Sequence, residues 1–305
     1  MKKISTFVKW IFASWRNFIL SAAYILAIYL IASLIICFLI VNREQKEAQE
    51  VTRNLDPLLK VRGQSIYIDE DEVYKFIPVS GGSLIVSDSN SRKTISVKSF
   101  LIGEIEVSNT LQEYVLHRTR AKEGAAEKMM SFPANNGTKE NWLDFIERLN
   151  KMTGHIFRLP TNDEWEYAAR GGKASMGFVY SGGNNIDDVA LYKGNTPDLG
   201  NVACKLKRPN ELGLYDMSGS QWELTSTPLS EVNEDVAFFN KLVLINKEEV
   251  RKQHPEAFNM IMEDIENPVL VARGGAWDSP AEECQLNCTP TKHIVKTGAR
   301  LIMEK

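Results

Sequence analysis

Histidine is scarce: the 305 residues hold four, His117, His155, His254 and His293, and no two are spaced to put paired imidazoles on one helix face. A local histidine-built metal centre is therefore absent. Cysteine is also sparse. Of the four, Cys37 lies in an apolar run, and Cys204, Cys284 and Cys288 form an odd set that leaves at least one thiol unpaired within a monomer. A Cys284–Cys288 bridge would close a tight loop, and pairing of Cys204 with either depends on the fold. No nucleophile elbow of the form G-x-S-x-G, no P-loop and no G-x-G-x-x-G after a strand occurs, which removes the ordinary hydrolase and nucleotide-binding classes. Positive charge is not in excess, with 36 Lys and Arg against 39 Asp and Glu, so no basic field exists to hold a polyphosphate backbone and nucleic acid is not an expected partner. The adjacent acids Asp187 and Asp188, and Glu282 and Glu283, sit in loop-like sequence and read as solvated charge, not as a paired-carboxylate catalyst. Repeats, low-complexity tracts and Pro-rich linkers are lacking too, so one folded domain is expected.

Charge is missing altogether from Phe18 to Val41, a run that would span roughly 36 Å as a helix. It is longer than the apolar core of a cleaved leader and runs straight into charged sequence, so it reads as an uncleaved transmembrane signal anchor over 18–41. Lys2, Lys3, Lys9 and Arg16 precede it with no acidic residue, while Arg43 and Lys46 follow among glutamates. That bias predicts a cytoplasmic tail over 1–17 and a single pass through the inner membrane, with the C-terminal domain in the periplasm. Residues 42–62 are charged, lack glycine before Gly63 and contain Pro57, which predicts a helical juxtamembrane stalk stopping near Leu55 and a folded domain over 63–305.

Within that domain, IYIDEDEVYKFIPVSGGSLIVS alternates and breaks at Gly81-Gly82, predicting short strands around a turn, and TISVKSFLIGEIEVSN predicts a further strand pair. In GTKENWLDFIERLNKMTG, Thr138 can cap a helix whose apolar face is Trp142, Phe145, Ile146 and Leu149, with Gly154 as its stop. In LPTNDEWEYAARGG, Thr161 and Glu164 make a capping box, and Trp165, Ala168 and Ala169 face inward. Beyond Gly172, Gly, Asn, Asp and Pro recur without long periodic segments, so irregular loops dominate.

The blocks RLPTNDEWEYAARGG, NELGLYDMSGSQWELTS, VARGGAWD and GARL, in that order, resemble the formylglycine-generating enzyme and sulfatase-modifying-factor superfamily over about residues 66–303. The resemblance implies an α+β, loop-rich, C-type-lectin-like fold, here preceded by one transmembrane helix. Members include copper oxidases that convert a sulfatase cysteine to formylglycine, iron-dependent sulfoxide synthases, and lipoproteins of gliding and secretion machines. The oxidase holds copper with two cysteines, because thiolates suit Cu(I). Counted from Gly275, the first of those positions is Ser279 and the second Cys284. A serine hydroxyl cannot replace a soft thiolate, so copper is not expected and Cys284 reads as a small packing residue; Cys288 could supply a second thiol only at a departed spacing. The iron enzymes place their histidines in a fused helical domain that is not seen here, so iron is not expected either. The resemblance also implies a structural calcium held by side chains of Asp216 and Glu223 and carbonyls of Gly219 and Gln221. At a second family calcium site Leu191 replaces the expected asparagine.

Between Thr227 and Val269 the sequence departs from the family's usual loop and is rich in helix formers, which predicts a helical insertion over about 228–268, with Pro255 opening one helix. Phe258, Ile261, Met262 and Ile265 repeat at helical spacing. That spacing most simply means packing onto the domain; the sharper reading makes Phe258, Ile261 and Ile265, with Lys247, Arg251 and Glu263, a partner-binding face. A non-catalytic, membrane-anchored scaffold follows, with envelope proteins as partners and a second copy of the chain as a further candidate. The alternative is a metal-dependent oxidase modifying exported proteins.

Overall fold

The computed structural model describes residues 55–87, 92–117, 132–134, 137–196, 202–288 and 297–304, together with isolated helical positions between Ser33 and Arg43. Contacts divide the chain into two units that meet at Asn54 and Leu55. Among the described residues no helix is long and apolar enough to cross a membrane. The expected span at 18–41 falls largely outside the described residues, as do the cytoplasmic tail and the stalk helix up to residue 54.

Three strands open the larger unit: β1 (Leu59–Arg62), β2 (Ser65–Ile68) and β3 (Asp71–Val79). The first corrects the sequence reading, since Leu59–Arg62 lies in the segment assigned to the stalk yet pairs antiparallel with β2. Asp56 is part of the same body, donating its backbone N–H to the Met152 carbonyl at 2.8 Å. Next come β4 (Gly82–Ser87), β5 (Arg92–Val97) and β6 (Phe100–Gly103). The break at Gly81-Gly82 is real, but the strands on its two sides join different sheets: β4 pairs only with β5, whereas β3 pairs with β6 at Phe76↔Gly103. The expected pairing of β5 with β6 is likewise absent from the described sheets, because two residues separate them and each takes an earlier partner.

Helices α1 (Asn109–His117) and α2 (Lys139–Thr153) follow, then β7 (Phe157–Arg158), α3 (Asn162–Ala169) and the single turn α4 (Ile186–Val189). The chain ends with β8 (Glu223–Pro228), three helices α5 (Glu234–Ile245), α6 (Lys247–Gln253) and α7 (Pro255–Glu266), and β9 (Leu270–Arg273), β10 (Gly298–Ala299) and β11 (Ile302–Met303). Six strands form one sheet in the order β1-β2-β3-β6-β11-β7, and β10-β8-β9 form a second.

Strand alternation puts successive residues on opposite faces of the six-stranded sheet. Phe76, Leu101, Leu301 and Met303 pack with Trp142, Phe145 and Leu149 of α2, while Val79, Ile102 and Ile302 pack with Trp165, Ala168 and Ala169 of α3. The sheet is therefore covered on both sides. Gly103 has no room for a side chain, since a Cβ there would sit 1.9 Å from the Tyr74 hydroxyl, which donates to the Ile105 carbonyl.

Both expected helix starts are present. Thr138 Oγ1 accepts from the Asn141 N–H at 3.4 Å, and Gly154 closes α2 in the left-handed region at φ 69°. At α3 the capping box is complete: the Glu164 N–H reaches Thr161 Oγ1 at 3.1 Å and the Thr161 N–H reaches Glu164 Oε2 at 2.8 Å. Arg158 clamps the same glutamate through two hydrogen bonds. Replacing Thr161 with Ala is expected to lower unfolding stability by about 1 kcal/mol with the denaturant slope unchanged. Urea titration of the purified protein checks this, and a midpoint equal to the parent's would show that the box contributes nothing.

Candidate functional site

Gly274 and Gly275 leave β9 with φ of 95° and 76°, conformations that L side chains rarely adopt. The turn is tight for a second reason: a Cβ on Gly275 would lie 2.7 Å from Cys284 Sγ. This glycine pair thus aims the chain at the two positions where the oxidase has copper-binding cysteines. At the first, Ser279 is buried and its hydroxyl donates to Glu283 Oε2 at 2.9 Å. At the second, Cys284 is a buried free thiol on a short 3₁₀ turn. Burial, with Glu283 and Cys288 nearby, pushes that thiol up to about 12, so at neutral pH it holds its proton. No disulfide joins Cys204, Cys284 and Cys288.

Beside this turn lies a buried polar cluster. Arg300, fully buried between β10 and β11, donates to Glu223 at 2.6 to 3.1 Å, to the Gly103 carbonyl at 2.9 Å and to the Tyr215 carbonyl at 2.8 Å. Burial opposes its charge, but Glu223 outweighs that and raises its pKa. Glu223 also accepts from Trp165 Nε1 at 2.7 Å. Two more acids face the cluster, Glu106 with Oε2 3.9 Å from Arg300 Nη2, and Asp216, whose Oδ2 accepts the Lys205 N–H at 2.7 Å. Burial, then the charge of neighbouring acids, raises Glu106 well above the usual carboxylate range. Burial likewise raises Asp216 to about 6 against the pull of the Lys205 N–H and Arg300.

Of the four residues expected to share a calcium ion, Asp216 and Glu223 do lie in one cluster, but the Glu223 carboxylate is engaged by Arg300 and Trp165. Gly219, at φ 78°, is required for packing: its N–H donates to the Gly274 carbonyl, and a Cβ would lie 2.1 Å from the Leu191 carbonyl oxygen. Gln221 is buried next to Trp222. The sequence marks Cys204 only as a candidate for disulfide pairing and does not mark Glu106, and no local spacing joins them, since 98 residues separate the two.

The helical insertion is present as α5–α7 between β8 and β9, and the stripe on α7 packs inward instead of facing a partner. Phe258 and Met262 are buried against Val243, with Ile261 and Ile265 packed on the same small core, and the Arg251 guanidinium sits over the Phe258 ring. An amphipathic helix with a strong apolar stripe turns that stripe to the nearest apolar surface, here α5. Lys247, Arg251 and Glu263 are exposed as expected. The solvent-facing apolar residues are instead on α5, with Phe238 at 62% and Ile245 at 68% exposure, joined by Phe239, Leu242 and Leu244. A cleft of about 200 Å³ lined by Leu229, Val236, Phe239, Ile261, Pro268 and Val269 adjoins them.

The scattered histidines and acid pairs do not converge. His155 bonds the Thr153 carbonyl, His117 lies 4.0 Å from Glu113, and Asp188 pairs with Arg208 on the surface. His293 lies outside the described residues.

The chain belongs to the sulfatase-modifying factor enzyme 1-like (FGE-sulfatase) family, whose domain matches residues 65–305. It is 42% identical over 97 residues to the chaperone protein LppX of Paenibacillus barcinonensis, covering 25% of this chain and 35% of that protein. It is 36% identical over 90 residues to the inactive C-alpha-formylglycine-generating enzyme 2 of Bos taurus, covering 26% and 29%. With the formylglycine-generating enzyme of Streptomyces coelicolor it shares 33% identity over 118 residues, covering 35% and 37%. The match therefore spans about a third of each relative's length. Among solved structures, Treponema denticola variable protein 1 has the same fold, with a TM-score of 0.55 at 20% identity over 82% of this chain and 100% of that one.

The buried ion pair generates a measurable expectation. Arg300→Met and Glu223→Gln should each cost about 3–5 kcal/mol, since each leaves a buried charge without its partner, and the double variant should cost less than their sum. Denaturant unfolding of the four proteins in a double-mutant cycle checks it; strictly additive losses would show that the two side chains are not coupled.

Proposed function

We propose that this chain is a membrane-anchored, extracytoplasmic interaction module in which the family fold serves as a scaffold without oxidase chemistry. The observation that carries the reading is the first position after Gly275 at which the oxidase has a copper-binding thiol: here it is Ser279, whose hydroxyl is bonded to Glu283. A hydroxyl is not a soft thiolate, so the pair of sulfur ligands that suits Cu(I) is incomplete. Names of two relatives fit this reading, one being called a chaperone and another an inactive formylglycine-generating enzyme. The charge-free run Phe18–Val41 and the charge bias around it support a domain on the periplasmic side of the inner membrane, with envelope proteins of a secretion or motility assembly as partners.

The contact surface in this proposal is the exposed face of α5 with its adjoining cleft. Several large apolar side chains on one short helix form the kind of patch that marks a protein interface. Lys247, Arg251 and Glu263 supply a charged rim, as in interfaces with an apolar centre. The insertion departs from and returns to adjacent strands, so it adds surface without altering the sheets.

Two experiments test the proposal. The copper-loaded full-length protein, incubated under oxygen with a sulfatase-type cysteine peptide, is expected to leave the cysteine unchanged in mass spectrometry. Aldehyde formation that disappears in Cys284→Ser would overturn the scaffold reading. In membranes, Phe238→Glu with Leu242→Lys is expected to reduce crosslinked partner recovery at least tenfold while the melting temperature stays within about 2 °C of the parent, as surface substitutions do. Undiminished crosslinking would place the interface elsewhere.

A further inference from the structure

The cluster around Arg300 holds more acid than its cation can match. Glu106, Asp216 and Glu223 are all buried, and one buried guanidinium faces them, already bonded to Glu223 at 2.6 Å. With the three carboxylates ionised, the cluster lacks two positive charges. Lys205 does not make up the difference, because its ammonium group is paired with Glu104 on the half-exposed side.

The atoms left over converge. Glu106, Cys204 and Asp216 each offer a ligand atom, and these atoms lie within 4.8 Å of one another. Among the described residues no other trio of His, Cys, Asp or Glu side chains does so. Two oxygens in the cluster, Glu106 Oε1 and Asp216 Oδ1, are buried and make no hydrogen bond. A buried polar atom without a partner costs free energy, so such atoms are normally bonded to protein, water or an ion. The Cys204 thiol lies 3.9 Å from Glu106 Oε2, within reach of the same centre.

We propose that Glu106, Cys204 and Asp216 form a buried site for one zinc ion. The ligand chemistry selects the metal. Calcium takes six to eight oxygens, whereas zinc accepts thiolate sulfur and carboxylate oxygen in a four-coordinate shell. Tetrahedral zinc would hold such ligand atoms about 3.5 Å apart, so a contraction of up to about 1.3 Å brings the three onto one ion, with water in the fourth position. The ion supplies two positive charges, so that with the Cys204 thiolate counted four negative charges face three positive ones. The thiol loses its proton on binding, as do the acids wherever they carry one, and those protons go to solvent. Arg300 remains on Glu223, with its Nη2 3.9 Å from Glu106 Oε2. This ligand set differs from the calcium set that the family resemblance implies: it shares Asp216 but replaces Glu223 with Glu106 and Cys204. It is also independent of the scaffold reading, since a structural ion requires neither oxidase activity nor its absence.

The test uses the full-length protein in detergent, stripped with chelator, then titrated separately with zinc and with calcium. Metal analysis is expected to give one zinc per chain, with a melting temperature raised by about 5–10 °C at hundredfold excess over Kd. Cys204→Ser, a near-isosteric change, should abolish that rise, and Glu106→Gln should reduce affinity at least tenfold. Cobalt serves as the spectroscopic probe: a thiolate-to-metal charge-transfer band in the parent, absent from Cys204→Ser, reports direct sulfur ligation. If the serine variant fails to fold, the parent's cobalt band decides alone. No bound metal, a response to calcium only, a parent cobalt spectrum without the thiolate band, or zinc binding that survives in Cys204→Ser would each overturn the proposal.

Discussion

A guanidinium with no access to water must find a partner for each donor inside the protein, and Arg300 finds its partners on separate parts of the chain. One arm bonds the carbonyl that ends β6 in the six-stranded sheet, another the Tyr215 carbonyl in the loop before β8, and the remaining donors take Glu223, the first residue of β8 in the second sheet. The relative placement of the two sheets is thus written in hydrogen-bond directions. Glu223 passes the constraint on by accepting from Trp165 Nε1, which fixes the rotation of α3. A second buried arginine, Arg273 of β9, lies 5.2 Å from the centroid of the Trp165 ring and donates to Asn162 and the Leu286 carbonyl. Loops without regular secondary structure can be ordered in this way, because charged donors bind carbonyls more strongly than neutral ones do.

That frame is indifferent to the chemistry after Gly275. Ser279 is accommodated by a hydrogen bond to Glu283 and Cys284 by burial. The insertion between β8 and β9 is accommodated locally too. Leu229 and Val269 are joined by a backbone hydrogen bond at the base of the insertion, and α5–α7 bury their own apolar side chains above it. A fold whose strands are held by a buried ion pair can therefore carry an added helical surface.

Local rules read the helices well. Thr138, Thr161, Glu164 and Gly154 act within three or four residues of themselves, and their roles depend on little beyond backbone geometry. Strand partners were harder. Alternation marks a strand and the face that it buries, but not its neighbour: β3 meets β6 across the β4–β5 hairpin, and β11 comes from the end of the chain to lie between β6 and β7. Leu59–Arg62 reads as stalk in the sequence because four residues beside Pro57 carry too short a pattern to announce a strand. The insertion shows the same limit. The stripe on α7 was legible, yet α5 is apolar over most of its circumference, and only packing decides which of its sides faces water.

The sequence by itself determined the class of fold, through motif blocks in a fixed order, and the serine that stands at position 279. It also determined the apolar, charge-flanked run near the N-terminus, because hydropathy and charge are properties of a segment. Tertiary structure alone decided what Glu223, Glu106, Cys204 and Asp216 do. Their meaning depends on who sits opposite: Glu223 faces a buried arginine, while the other three face one another across long chain separations. Electrostatic energy in a water-free interior depends on distances of a few ångströms, and those distances are set by sheet pairing that no local spacing encodes.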